Sequence, residues 1–284
     1  MQPQSWPVSI PATDAWLEAV HDIVHHGLEV SPRGMPTKEI PQRTAYVEMV
    51  HPVMFFKPRK LNYKFMAAEA YWILSGDNRV ETIAPYNKNI SAFSDDGEVF
   101  AGAYGPPIEN QLDYVVRTLV NDPDTRQAIL TIWRQNPGPS KDIPCTVAAD
   151  FKIRDGKLNA HVFMRSSDVW LGIPYDIFNF SMLAALVCGK VNEINHSCGE
   201  QLELGTLFLT AASSHLYARN LDDAMACLVK DQPDADDDYR LGETEAVPAE
   251  LYQGIGAPGR LMNVLKALRE SQPGDYLRWW EVRP

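Results

Sequence analysis

Residues 145–189 read CTVAADFKIRDGKLNAHVFMRSSDVWLGIPYDIFNFSMLAALVCG, and the fold turns on them. Residues 147–154 and 157–164 are two strand-forming runs on either side of Asp155-Gly156. That dipeptide accepts the positive φ angles of a two-residue turn, so the runs are expected to pair as an antiparallel hairpin. A polar segment follows, and Pro174 then opens an apolar run through Val187. Proline in a first helical turn removes no needed donor, and a long apolar run predicts a buried helix, with Gly189 as its stop. A hairpin that passes straight into a core helix predicts one body of mixed strands and helices.

Working outward, residues 14–28 predict a helix with Trp16, Val20, Ile23 and Val24 on one stripe and Thr13 as N-cap. A proline-rich, basic stretch containing Arg33 follows, then an apolar run over 50–56. Residues 63–74 predict a helix that Gly76 stops, and 111–119 a helix with Leu112, Val115, Val116 and Leu119 on its apolar face. Residues 128–133 and 204–209 predict strands, and 221–229 and 260–270 helices. The stretch 231–250 is acidic with two prolines and predicts a solvated loop. No repeat or linker divides the chain, so residues 1–284 are expected to form a single α+β domain.

Composition narrows the chemistry. A hydrophobic content of 45% in 284 residues supports a large core. A net charge of −11 argues against a nucleic-acid polymer or an acidic membrane as partner, both of which need a positive surface. A small anionic substrate remains open, because a few arginines in a pocket bind phosphate whatever the net charge. The four cysteines (Cys145, Cys188, Cys198 and Cys227) have no metal-ligand spacing, so no metal is expected. They are too few for a disulfide scaffold. The start, Met-Gln-Pro-Gln-Ser-Trp, lacks a basic or apolar leader, and no run reaches about 18 apolar residues. A cytoplasmic protein is expected.

Cys145 sits in Ile143-Pro144-Cys145-Thr146, at the mouth of the predicted hairpin, whose second strand runs into Arg165-Ser166-Ser167-Asp168. Paired strands bring their far ends together, so Cys145 and Arg165 should be neighbours. A guanidinium beside a thiol lowers its pKa and offers a fork to an anion. A lone cysteine is more often a small buried hydrophobe, and an Arg-Asp pair is often structural.

The run Arg165-Ser-Ser-Asp-Val-Trp-Leu-Gly-Ile-Pro-Tyr-Asp-Ile177 resembles the signature of the thymidylate synthase family, which follows a Pro-Cys nucleophile. Glu69 in Glu-Ala-Tyr-Trp-Ile-Leu-Ser-Gly-Asp77 resembles the family's catalytic glutamate helix. Tyr104-Gly105 resembles its Val-Tyr-Gly segment, Asp122-Pro-Asp-Thr-Arg126 its Asp-Pro-x-Ser-Arg segment, and Ser214-His215-Leu216-Tyr217 its sugar clamp. The likeness spans about residues 30–220. It implies a thymidylate synthase-like fold, a mixed sheet packed with helices whose free face forms a homodimer interface.

The resemblance also implies roles. The Cys145 thiolate would add to C6 of a pyrimidine, and C5 would then attack 5,10-methylenetetrahydrofolate, the co-substrate. Glu69 would order water and shuttle protons, with Tyr104 beside it. Arg165, Ser166 and Arg33 would hold the phosphate, joined by Arg126 from the partner subunit. His215 and Tyr217 would hold the ribose. Asp168, Leu171, Gly172, Tyr175 and Phe93 would line the folate site; by spacing from Asn89, Phe93 takes the place of a folate-facing tryptophan. Trp279 and Trp280 could cap the folate or anchor the core.

Three departures from the family pattern point one way. Its base-reading asparagine is here Asp176, the histidine after its nucleophile is Thr146, and the Gly-Asp before its clamp is Ala212-Ser213. An amide suits the O4 acceptor and N3–H donor of uracil. A carboxylate accepts from N4–H₂ of cytosine, with a shared proton completing the bond to N3, while its lone pairs oppose O4 of uracil. An aspartate near a helix N-terminus is alternatively explained by the helix dipole. The expected activity is a CMP or dCMP 5-hydroxymethyltransferase, in which water ends the reaction where a methylating enzyme uses hydride. An Ala-, Arg- and Pro-rich composition leans toward CMP and bacterial nucleoside biosynthesis. The alternatives are a methyltransferase of the thymidylate synthase kind, acting on dUMP or a cytidylate, and a non-catalytic nucleotide-binding homologue.

Overall fold

Asp155 at φ +52° and Gly156 at φ +71° form the predicted turn, and the strands they join lie within a seven-stranded sheet. The computed structural model describes residues 8–195, 201–230 and 257–271. In chain order the elements are α1 (Ala12–His26), β1 (Leu28–Val30), β2 (Thr37–Glu48), α2 (Tyr63–Leu74), α3 (Val80–Ile83) and α4 (Gly105–Asn121). They continue with β3 (Ile129–Thr131), β4 (Thr146–Arg154), β5 (Lys157–Met164), β6 (Ser167–Asp168) and α5 (Ile173–Ile194). The last three are β7 (Glu203–Tyr217), α6 (Leu221–Lys230) and α7 (Pro258–Glu270). The acidic 231–250 stretch, Cys198, Trp279 and Trp280 lie outside the described residues.

The sheet runs β1-β2-β7-β5-β4-β3, with β6 added beside β7. Its pairs are antiparallel except β5 with β7 and β6 with β7, so the sheet is mixed and the class is α+β. Side chains alternate between its faces. Leu158, Ala160, Val162 and Met164 of β5 are buried, and α5 packs on β5 and β7. The alternate residues make an open face where Tyr46 meets Phe208 edge-on at 5.7 Å and His161 stacks near Phe163 at 4.0 Å. Thr210 links Thr44 (2.9 Å) and His161 (2.8 Å) across that face.

Three helix expectations change. Pro11 holds the cap position of α1, while Thr13 is buried inside the first turn, where Oγ1 accepts from Phe55 N at 3.0 Å. The hydroxyl thus ties the helix to the 50–56 run instead of capping it. α4 begins at Gly105, six residues before residue 111, because Pro106 and Pro107 fit a first turn that needs no donors. Gly189 does not stop α5, which continues to Ile194; packed on both sides, the helix absorbs the glycine's modest cost. By length and composition α5 could cross a bilayer, yet most of it is buried in the core against α2, α4 and the sheet.

The strand β2 is an addition, and β7 reaches eight residues beyond residue 209. The sequence of β2 carries Pro41 and Gln42, the latter at φ +53°, and these mask its alternation. Proline is tolerated there because β1 pairs only with residues 37–39, leaving that side of β2 without a strand at Pro41.

Candidate active site

One wall of the site is the mouth of the β4–β5 hairpin. Arg165 N donates to Cys145 O at 2.8 Å, which makes the two residues cross-strand neighbours as expected. The Cys145 thiol is half-buried, with Ser166 Oγ and Arg165 Nη2 each 3.7 Å from Sγ. Arg165 is itself tied to the preceding loop, Nε to Pro144 O and Nη2 to Ile143 O, both 2.9 Å. The guanidinium is therefore held before any anion arrives. Val147 is a bulge: the register shifts between Thr146 and Ala148, and Val147 O accepts from both Ile132 N and Trp133 N. The expected lowering of the thiol pKa does not prevail. Burial raises it, and Asp176 and Asp142 add to the rise, against the opposing pull of Ser166 and Arg165.

The facing wall is made of helices. Glu69 on α2 and Asp176 in the first turn of α5 lie close enough, where the two helices pack, for the charge of Glu69 to act on Asp176. Burial pushes the Glu69 carboxyl up to about 7, against one hydrogen bond from Asn179 Nδ2 to Oε2 at 2.8 Å. Asp176 is raised well above the usual carboxylate range by burial, then by the charges of Glu69 and Asp168. Tyr104 heads α4, stacks on Phe180 at 6.2 Å and accepts from Thr146 N at 3.3 Å. Its phenol is also held protonated by burial and by Asp176 and Cys145. The close approach of α2 and α4 that makes this possible needs Gly105, where a Cβ would stand 2.5 Å from Asp77 O.

The turn between the walls carries the folate-facing candidates. Asp168 Oδ1 accepts from Trp170 N (2.8 Å) and Leu171 N (3.1 Å), which fixes the entry to α5. Leu171 is half-exposed, and a Cβ at Gly172 would crowd Asp168 O at 3.0 Å and Asp176 Oδ2 at 3.1 Å. Tyr175 takes a bond from Asn62 N at 3.2 Å and meets Phe65 edge-on. Phe93 is exposed at the end of a 3-10 turn. The clamp residues lie on β7, where Asp168 pairs in register with His215. His215 packs edge-on against Tyr217 at 5.3 Å, and its Nδ1 is buried without a partner. Arg33, at φ +54° in the turn before β2, stands by the same end of β7, where Thr37 pairs with Tyr217.

Arg126 is not brought to this site. It is exposed in the loop before β3, where Arg154 binds the carbonyls of Pro123 and Asp124 at the opposite end of β4 from Cys145. At about 3.3 Å per residue along β4, that separation is on the order of 25 Å. Two contributors were not foreseen. Arg59 lies 4.3 Å over Trp170 and donates to its carbonyl, bracing the signature turn. Asn179 holds Glu69, while its own Oδ1 is buried with no partner, at a cost of about 1–3 kcal/mol. A polar residue three after Asp176 in an apolar helix shares its face, and that spacing was the signal available. Among the described residues no group of three His, Cys, Asp or Glu could hold a metal ion.

A thiol with a fixed guanidinium beside it, facing two carboxyls whose proton affinity burial raises, suits covalent addition to a polarised ring coupled to proton transfer. Mixed sheet, signature turn and thiol together define one class: the chain belongs to the thymidylate synthase family, whose family model matches residues 14–247. Among its relatives is the deoxyuridylate hydroxymethyltransferase of Bacillus phage SP01, 31% identical over 244 residues, 77% of this chain and 60% of that protein. Another is the deoxyuridylate hydroxymethyltransferase of Pseudomonas phage M6, 30% identical over 217 residues, 72% of this chain and 59% of that protein. The matched stretch thus spans about three-fifths of these relatives' length.

Proposed function

We propose that the chain is a folate-dependent transferase that places a hydroxymethyl group on C5 of a cytidine nucleotide. The base assignment rests on Asp176. With its carboxyl kept protonated by burial and by the Glu69 and Asp168 charges, it donates to N3 of cytosine and accepts from N4–H₂. A protonated carboxyl could also pair with uracil, so discrimination comes from proton affinity more than from lone-pair repulsion. N3 of cytosine is basic enough to take the proton as charge builds on the ring, whereas O4 of uracil is a far weaker base.

In the reaction that follows, Cys145 bonds through Sγ to C6, and Asp176 passes its proton to N3. The electron pair released at C5 forms the bond to the one-carbon unit of methylenetetrahydrofolate. The C5 proton passes to solvent, and tetrahydrofolate leaves with the bonding pair on its nitrogen, which gives an exocyclic methylene. Water adds to that carbon while Glu69 takes its proton, and the C6–S bond breaks as N3 returns its proton to Asp176, which restores the ring. A carboxyl poised near 7 is suited to that exchange at neutral pH. Arg165, Ser166 and Arg33 hold the phosphate, and remote binding of this dianion positions the ring for attack.

Hydroxymethyl transfer is supported by the names of both phage relatives. Those names specify deoxyuridylate: the deoxyribose weighs toward dCMP over the CMP that composition suggested, while the uracil base weighs toward dUMP and against the cytosine reading, which Asp176 alone carries. The open aromatic face of the sheet suits a homodimer, and Arg126 at its far edge suits donation to the partner's phosphate site. The test is a mass-resolved competition assay: purified protein, methylenetetrahydrofolate and an equal mixture of CMP, dCMP, UMP and dUMP. The expected product is dCMP carrying an added CH₂O. Addition of CH₂ would make the chain a methyltransferase, and reaction of a uridine nucleotide would overturn the assignment of Asp176.

A further inference from the structure

Glu69 has one hydrogen-bond partner among the described residues, and it is a buried amide from another helix. Asn179 lies in α5 one turn beyond Asp176, with Nδ2 2.8 Å from Glu69 Oε2. On the following turn of α5 its face is continued by Met182 and Leu183, both buried. Its carbonyl oxygen is buried without a donor. A valine or leucine would fill the same space and leave no unpaired acceptor, so packing does not explain the amide. Its one observed task is to present an N–H to Glu69. Reversing the amide would set two acceptors against each other, so its orientation follows from the carboxylate.

We propose that Asn179 is a positioning residue for Glu69, holding one carboxylate oxygen so that the other faces the water that adds to C5-methylene. This rests on the reaction proposed above. The hydrogen bond consumes one oxygen and locks the carboxylate plane, and the free oxygen is left for proton transfer. It also favours the ionised carboxylate, against burial, which favours the acid. The titratable groups that feel the Glu69 charge are Asp176 and Tyr175 of α5. Tyr104 at the head of α4 couples to Asp176 and Cys145, and Arg269 of α7 lies over Tyr71, on another face of α2.

The test combines kinetics with a direct titration. In Asn179→Ala, kcat should fall by ~10–100-fold with the nucleotide KM little changed, the size expected for one lost bond to a charged group. Because the lost donor stabilised the anion, the acidic limb of kcat/KM should move to higher pH. Asn179→Ser, which keeps a donor, should recover part of both effects. Isotope-edited infrared titration of the carboxyls, with Glu69→Gln to mark the band, should show the same upward move without substrate. Thermal melts of each variant identify any that fail to fold. If limb and band stay put in Asn179→Ala and Asn179→Ser, whatever happens to kcat, the proposal is overturned. If the wild-type protein makes no hydroxymethyl product, the reaction assignment fails by itself, and the infrared band still decides whether Asn179 holds Glu69.

Discussion

The two walls of the site are built on opposite principles. The hairpin wall, with Cys145, Arg165 and Ser166, is set by backbone pairing and open to solvent at its arginine. The helix wall, with Glu69, Asp176 and Asn179, is set by side-chain packing, and its carboxyls are pushed toward neutrality. Anion binding needs a fixed positive fork that water can reach, while proton transfer needs groups whose charge is nearly balanced by burial. The difference divides the work: the hairpin wall grips, and the helix wall moves protons.

The sharpest way to break this division is at the thiol. Cys145→Ser should lower turnover by ~10⁴-fold or more and abolish hydrogen exchange at C5, since an alcohol lacks the nucleophilicity of a thiolate. Residual exchange above background would remove the covalent step. Next, Glu69→Gln should lower kcat by ~10²–10⁴-fold, as expected for a lost general base, while nucleotide binding measured by calorimetry stays near wild type. A parallel loss of binding would place Glu69 in the grip instead. Asp176→Asn should shift the kcat/KM ratio of cytidine to uridine nucleotide toward uridine by ~10–10³-fold. Unchanged cytosine selectivity would sink the account of base reading.

The smallest effect sharpens the comparison through stability. Glu69 rises from 4.5 to about 7 on folding, so the folded state binds the proton more tightly. Its stability is therefore undiminished below pH 4.5 and declines as pH rises toward 7, by up to about 3 kcal/mol. Glu69→Gln removes that penalty and should melt above wild type at pH 8, with the difference vanishing at pH 4. A variant that melts lower at both pH values would contradict the buried, raised carboxyl.

The hairpin wall was legible in the sequence, and the helix wall only in part. Asp155-Gly156 sets the turn, and turn plus strand length put Cys145 beside Arg165. Glu69 and Asp176 emerged from the family resemblance, but their mutual influence depends on how α2 packs on α5, which no local pattern records. The thiol shows the same limit: the arginine was visible beside it, and the burial that outweighs the arginine was not. Asn179 was hidden in an apolar run. Strand β2 was hidden by Pro41 and Gln42, residues that read as loop when the neighbouring strands are unknown.

The bulge at Val147 has a consequence for the address of the nucleophile. Along a strand, which side a residue faces is a matter of parity, and one extra residue reverses it for everything beyond. Continued without interruption, the Ala148–Phe163 register would set Cys145 opposite Ser166; the bulge sets it opposite Arg165 instead. The thiol and the guanidinium thus share a side because the strand miscounts once, two residues from the reacting atom. Were Val147 to pair regularly with Met164, every chemical group would remain and Cys145 would stand opposite Ser166 instead of Arg165.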